Sequence, residues 1–275
     1  MPRRHRRTST KTKLRQGRGQ GVGCNFLPWT FVHEFSSRGF SVRVYSWKTN
    51  RVHHLFSLLE FSYFCIVEWS NLVVDIREQY PLLPVEETVA IAKELGVRHP
   101  SDPTTKIPYV MTTDFLLTTL GEKGVCYRAR TIKYSQDLSK RRVLEKFEIE
   151  RIFFKKRKID WAIVTERDIP GAVVRNVNVL HPYFEHESLH PLSEKEVYRI
   201  ARRLTELVAK GEGSLSAIAA TCDREFGLNT GVSLKVAWHL IAKGNWRIDM
   251  TRPIEPFEPL PLLNYSLNTL RLKSA

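Results

Sequence analysis

At 275 residues the chain can bury one large core or two modest ones, and 42% hydrophobic with 26% charged content excludes wholesale disorder. Its 43 Lys and Arg against 29 Asp and Glu leave a net charge of +14, so a polyanion is the natural partner. No stretch nears the roughly 18 apolar residues of a membrane span, and the basic N-terminus lacks the apolar segment of a signal peptide. Cys24, Cys65, Cys126 and Cys222 follow neither CxxC nor zinc spacing, which points to a reducing, cytoplasmic setting.

Residues 1–22 read as a flexible basic arm. Arg3, Arg4, Arg6, Arg7, Lys11, Lys13, Arg15 and Arg18 stand there with no acid among the first twenty residues, which suits contact with DNA phosphates. From 26 to 47, two apolar runs around the turn SSRG predict a β-hairpin, and 52–69 predicts a helix. Strands are expected at 72–83, 109–118 and 124–134, a long charged helix at 137–158, and a strand at 161–166. Helices flanking a small sheet make 23–168 an α/β domain.

Residues 169–275 differ in texture, with thirteen basic against eleven acidic side chains. Ser193 and Glu196 form a capping-box signature opening a helix; further helices at about 214–226 and 231–243 close on Gly227 and Gly244. The alternating segment NWRIDM follows. Three helices and a strand are the order of a winged helix, a DNA- or partner-binding module of mainly α class. Lys235, His239 and Lys243 recur every four residues on the third helix, a basic stripe that suits DNA or, equally, a solvated face.

Three residues carry the chemistry. Glu60 lies in a helical run with Phe56, Tyr63, Phe64 and Val67 spaced around it, so its carboxylate is expected to be buried and to need a partner. Asp114 interrupts the apolar strand YVMTTDFLL, where aspartate is a poor strand former. Lys133 is two residues beyond Thr131, on the same strand face. Two acids and a lysine at one end of a sheet suit metal-dependent phosphodiester hydrolysis: the acids hold Mg²⁺ (one or two ions, Mn²⁺ substituting) and the ammonium offsets phosphate charge or orients water. The order resembles the loose PD-(D/E)xK nuclease core.

Longer stretches are more specific. GRGQG at 17–21, RVYSWKTNRVHHLFSLLE at 43–60, EWSNLVVDIREQYPLLP at 68–84, MTTDFLL at 111–117, RVLEKFEIER at 142–151 and SLKVAWHLIAKGNWRIDM at 233–250 resemble the TnsA family. That family comprises the endonuclease subunits of heteromeric cut-and-paste transposases. The resemblance implies a restriction-endonuclease-like domain joined to a winged helix, and cleavage of double-stranded DNA at the 5′ ends of a transposon. It also implies a TnsB-like transposase and a TnsC-like AAA+ ATPase as partners, in the bacterial cytoplasm at the nucleoid. One position departs: the family has glutamine, and the wider superfamily a carboxylate, where this chain has Thr131. The Ile132 backbone carbonyl and a carboxylate from the next helix, Glu150 or Glu148, are the candidates to fill the gap. A stand-alone restriction-type enzyme and a catalytically silent docking scaffold remain the alternatives.

Overall fold

The computed structural model describes residues 8–34, 40–122 and 124–267, which divide into two compact units, one through Ile169 and one from Pro170. The first unit is built on a four-stranded sheet in the order β3 (Val73–Pro81), β4 (Thr112–Gly121), β5 (Gly124–Ile132), β6 (Asp160–Val164). The first three strands are antiparallel and β6 runs parallel to β5. That parallel pairing requires a crossover, which α4 (Arg141–Lys156) supplies.

Alternation along the strands divides the core in two. Val73, Ile76, Phe115, Leu117, Ile132 and Val164 face α2 (Leu58–Trp69) and the hairpin of β1 (Val42–Ser46) with β2 (Arg51–Leu55). On the opposite side, Leu82, Leu116 and Ala129 pack against Ile91 and Ala92 of α3 (Val85–Glu94) and Ile149, Phe153 and Phe154 of α4. The result is a layered α/β unit. Both faces of the sheet are covered, so its strands are apolar on both sides.

Several boundaries differ from the sequence expectation. The hairpin pairs 42–46 with 51–55, not the two halves of 26–47, and the SSRG turn lies outside the described residues. The helix expected from 52 begins only at Leu58, because β2 takes the first residues. Arg51 and His53 on β2 serve a buried network: Arg51 donates to both oxygens of Glu78 and to the Ile76 carbonyl, and His53 Nδ1 lies 2.8 Å from Glu78. Burial alone would raise the Glu78 pKa, yet His53 and Arg51 hold it below the usual carboxylate range. α3 and the second unit's α5 (Gly171–Leu180) were not anticipated.

The described part of the basic arm is not a loose tail. Ser9 caps a short helix, α1 (Thr10–Arg15), and the chain then turns through Gly19 and Gly21, both at positive φ. A Cβ at Gly19 would run into the Pro81 ring, and one at Gly21 into the Asn25 carbonyl. The Lys13 ammonium donates to the Trp29 carbonyl at 2.9 Å; Arg18 donates to the same carbonyl and to Glu34 at 2.8 Å. Lys13 and Arg18 are buried, whereas Lys11 and Arg15 are exposed. Arg3, Arg4, Arg6 and Arg7 lie outside the described residues.

In the second unit α6 (Glu194–Ala209), α7 (Leu215–Phe226) and α8 (Val232–Ala242) pack on one another, with the Ser193–Glu196 capping box formed as expected. Asp223 on α7 accepts from the Gly231 and Ser233 N–H groups, satisfying orphan donors at the start of α8. The segment expected as a strand pairs over two residues only, β7 (Trp246–Arg247) with β8 (Asn264–Tyr265). Asn176 on α5 binds the 250–254 segment through Met250, Arg252 and Ile254. Among the described residues no helix is long and apolar enough to cross a membrane.

Because Arg18 is tied to a buried carbonyl and to Glu34, Arg18→Ala is expected to destabilise the first unit by about 1.5–3 kcal/mol. Arg15→Ala, at an exposed position, is expected to change stability by less than about 0.5 kcal/mol. Denaturant unfolding of the two variants measures the difference; equal midpoints would show that the Arg18 contacts carry no stability.

Candidate active site

Glu60 is set by the start of α2. Ser57 caps that helix by accepting the Glu60 N–H at 3.1 Å, and Glu60 reaches back to accept from the Ser57 hydroxyl at 3.0 Å and the Phe56 N–H at 2.9 Å. This is a capping arrangement in which the N3 acid also bonds the residue before the cap. Glu60 is 7% exposed. On β4, the Asp114 carboxylate accepts the Ile132 N–H at 2.6 Å, and the Gln79 side chain beside it acts to lower its pKa. Lys133, the first residue after β5, is half-buried, with its ammonium 3.3 Å from Asp137 and close enough to influence both acids.

The structure thus brings Glu60, Asp114 and Lys133 to one end of the sheet from three elements. Their electrostatics agree. Burial first, then the negative charge of Asp114, raises the Glu60 pKa to about 8, with Lys133 only partly offsetting it. Burial raises Asp114 to about 6 against the Ile132 and Lys133 contributions. Two acids held this way are short of positive charge. Their hard oxygens fit a divalent cation such as Mg²⁺, which prefers a few carboxylate ligands and leaves positions for substrate oxygens. Among the described residues no group of three or more His, Cys, Asp or Glu side chains is placed to hold an ion, so such a site would draw its other donors from backbone, water or substrate.

Thr131 and Glu150 are a joined pair. Thr131 is 5% exposed and its hydroxyl donates to Glu150 Oε1, which also accepts from Trp161 Nε1 at 3.0 Å. Thr113 lies 3.3 Å from the Thr131 hydroxyl. Burial, and the nearby Asp114 charge, raise Glu150 to about 7 despite these donors. Glu148, the other candidate, pairs with Arg151 at the surface and does not reach the site.

Three residues expected to contact DNA are engaged within the chain. Lys13 and Arg18 are buried and bond the Trp29 carbonyl, Arg18 also Glu34. His239 is 2% exposed and bonds the Tyr183 carbonyl through Nδ1, because the 181–189 turns cover that side of α8. The stripe is therefore broken: Lys235 and Lys243 are exposed, with Lys243 3.7 Å from the Phe184 ring centre.

Sequence reasoning missed Gln79; it expected phosphate contacts from the charged helix at 137–158 without singling out Lys146. A cleft of about 1160 Å³ in the first unit is lined by the 8–13 segment, Trp29, His33, the 105–110 loop and Lys146. Phe56, whose N–H bonds Glu60, and Gln79 also line it, whereas Glu60, Asp114 and Lys133 themselves do not. Arg142, Lys146 and Glu150 follow one another every four residues on α4, so this line runs from the buried pair out to the cleft. The charges acting on Lys146 are those of Arg142 and Lys133, both positive.

Comparison with known proteins gives the family. The family model described as TnsA-like endonuclease N terminal matches residues 70–166, and that described as TnsA endonuclease C terminal matches 168–250. The chain is also 35% identical over 232 residues to the Transposon Tn7 transposition protein TnsA of Escherichia coli, spanning 84% of this chain and 82% of that protein. The chain belongs to the TnsA endonuclease family. The mixed sheet with helices on both faces fits the restriction-endonuclease-like domain expected of a TnsA nuclease.

A pH dependence follows from the acids. With folded-state pKa values above the ordinary carboxylate range, Glu60 and Asp114 favour the fold while protonated, and that contribution is lost as pH rises through about 6 and then about 8. Metal-free protein is expected to melt lower at pH 8.5 than at pH 5.5, by about 2–4 °C for each kcal/mol lost. Mg²⁺ is expected to restore more stability at the higher pH. Glu60→Gln and Asp114→Asn should each flatten the trend; a melting profile indifferent to both substitutions would contradict the assignment.

Proposed function

We propose that this TnsA-family endonuclease acts within a heteromeric transposase, hydrolysing phosphodiester bonds at the 5′ ends of a transposon, with Glu60 and Asp114 as ligands of Mg²⁺ and Lys133 as its catalytic cation. The observation that carries this reading is the pairing of two buried acids from α2 and β4 beside one lysine, with pKa values raised to about 8 and about 6. The bound ion would supply Lewis-acid stabilisation of the phosphate and a more acidic water, with one or two ions compatible with the donor set. Lys133, whose ammonium is 3.3 Å from Asp137 and acts on both acids, would offset charge developing on the phosphoryl oxygens. The Ile132 backbone, whose N–H bonds Asp114, would offer its carbonyl as a further oxygen donor.

Glu150 takes the place of the absent strand carboxylate at one remove. It holds Thr131 and carries charge into the site without leaving α4. Glu150→Gln is expected to lower cleavage about tenfold or more while Thr131→Ala keeps much of the activity. The reverse ranking would sink this role.

DNA backbone contact is assigned to the cleft, to Lys146 and Arg142 above all, with Lys11, Arg15 and the residues 1–7 as outlying cations. Lys146→Ala is expected to weaken duplex binding and to reduce the slope of log K against log salt by about 0.9. The second unit, read as a winged-helix module with Lys235 and Lys243 exposed, is assigned to docking on the ATPase regulator or DNA. A TnsB-like transposase is expected to recognise transposon ends and process the other strand, and a TnsC-like ATPase to license the reaction.

The test is strand-specific cleavage of transposon-end DNA by the reconstituted complex. Glu60→Ala or Asp114→Ala is expected to abolish 5′ cleavage, a loss on the order of 10³-fold or more, with 3′ processing and assembly preserved. Near-normal 5′ cleavage by the Asp114→Ala complex would refute the site.

A further inference from the structure

Gln79 stands in the interior of β3 yet has φ +47°, a left-handed backbone that glutamine seldom adopts. Its effect on the strand is visible in the packing. Ile76 and Glu78 face the hairpin and α2, where Glu78 meets Arg51 and His53, but Tyr80 packs with the α3 and α4 side. Regular alternation would put Ile76, Glu78 and Tyr80 on one face. The face switches at Gln79.

The neighbouring strand switches opposite it. Phe115 and Leu117 face α2, while Thr113 reaches Thr131 and Glu150 on the α4 side, so β4 breaks its own alternation at Asp114. The pairing of Glu78 with Phe115 and Tyr80 with Thr113 sets Gln79 and Asp114 side by side between them. Their side chains are neighbours: the Thr112 hydroxyl, 3.4 Å from Gln79 Oε1, leaves the amide NH₂ end for the acid, and a donor there acts to lower the Asp114 pKa. The Gln79 carbonyl accepts the Trp29 N–H at 3.2 Å, tying the folded arm to the same point. Gln79 is 8% exposed and borders the cleft.

We infer that Gln79 is a positioning residue for the reaction: its amide orients the Asp114 carboxylate for the divalent cation, and the strained backbone at 79 exists to put that amide there. Backbone strain of this kind persists where the surroundings over-determine it, and it collects at sites of function. An outer amide that fixes a ligand's orientation typically contributes on the order of 10- to 100-fold in metal affinity. The inference rests on Asp114 as a metal ligand.

The backbone and side-chain roles separate by two substitutions in the full-length protein. Gln79→Met keeps the bulk and the left-handed strain but removes the amide. Gln79→Gly removes the amide and relieves the strain. Mn²⁺ binding is read without DNA from the loss of the free-ion EPR signal, with melting temperature as the check on folding. Both variants are expected to bind Mn²⁺ about 10- to 100-fold more weakly. Cleavage by the reconstituted complex should then require correspondingly more Mn²⁺ and recover at saturation, which a generally loosened fold would not do. Wild-type Mn²⁺ affinity in Gln79→Gly would show that only the backbone turn matters and would overturn the inference, as would a cleavage defect that added Mn²⁺ leaves unchanged. Asp114→Ala serves as the reference: if it binds Mn²⁺ as the parent does, the metal assignment itself falls, and this inference with it.

Discussion

The crowding of Glu60 and Asp114 at one apolar end of the sheet is the constraint that the rest of the first unit answers to. A buried carboxylate without a countercharge is expensive, and two together are more so. The chain does not remove that cost with an internal cation. Lys133 is the cation at hand, and its ammonium is shared with Asp137. The acids instead keep raised pKa values, which makes the site a receptor for positive charge from outside. A fold selected for stability alone would place an arginine there.

The same unit shows what full compensation looks like. Glu78, on the strand that also carries Gln79, is fully buried, yet Arg51 and His53 hold it ionised. Glu60, Asp114 and Glu150 receive neutral donors (hydroxyls, an indole, backbone N–H groups) and remain shifted upward. Two kinds of buried acid therefore coexist a few residues apart. One kind fastens the hairpin to the sheet, and the other is left in want of a cation, which is the pattern expected where pKa perturbation marks chemistry.

How much of this could be read in advance depended on whether the deciding partner was close in sequence. Ser193 and Glu196 are three residues apart, and their capping box was legible. The same Ser-x-x-Glu signature at Ser57 and Glu60 would have started α2 at Leu58, but the apolar run before it extended the helix backwards into β2. Lys13 and Arg18 read as solvated charges because their partners, Trp29 and Glu34, lie beyond the local window. His239 read as part of a stripe because nothing in its helix reveals that the 181–189 turns cover it. Asp114 stood out as an acid in an apolar strand; Gln79 gave no such sign, since Ile76, Glu78, Tyr80 and Leu82 keep an unbroken two-residue spacing through the point where the face switches.

Charge and burial together divide the labour between the units. The second unit carries only two of the fourteen net positive charges, so the long-range attraction to a polyanion originates in the first. Within the second unit, α8 buries eight of its eleven residues, among them Trp238, Leu240 and Ile241. A helix apolar nearly all round is the centre of a core, and a reading helix must keep one face free for base edges. Asp223 strengthens the same conclusion, since it spends a carboxylate on the N–H groups at the start of α8, the end that would otherwise meet phosphate. With its N-terminus already satisfied and His239 withdrawn, α8 keeps Lys235 and Lys243 as its outward cations, enough to orient a docked surface but a thin basis for reading sequence.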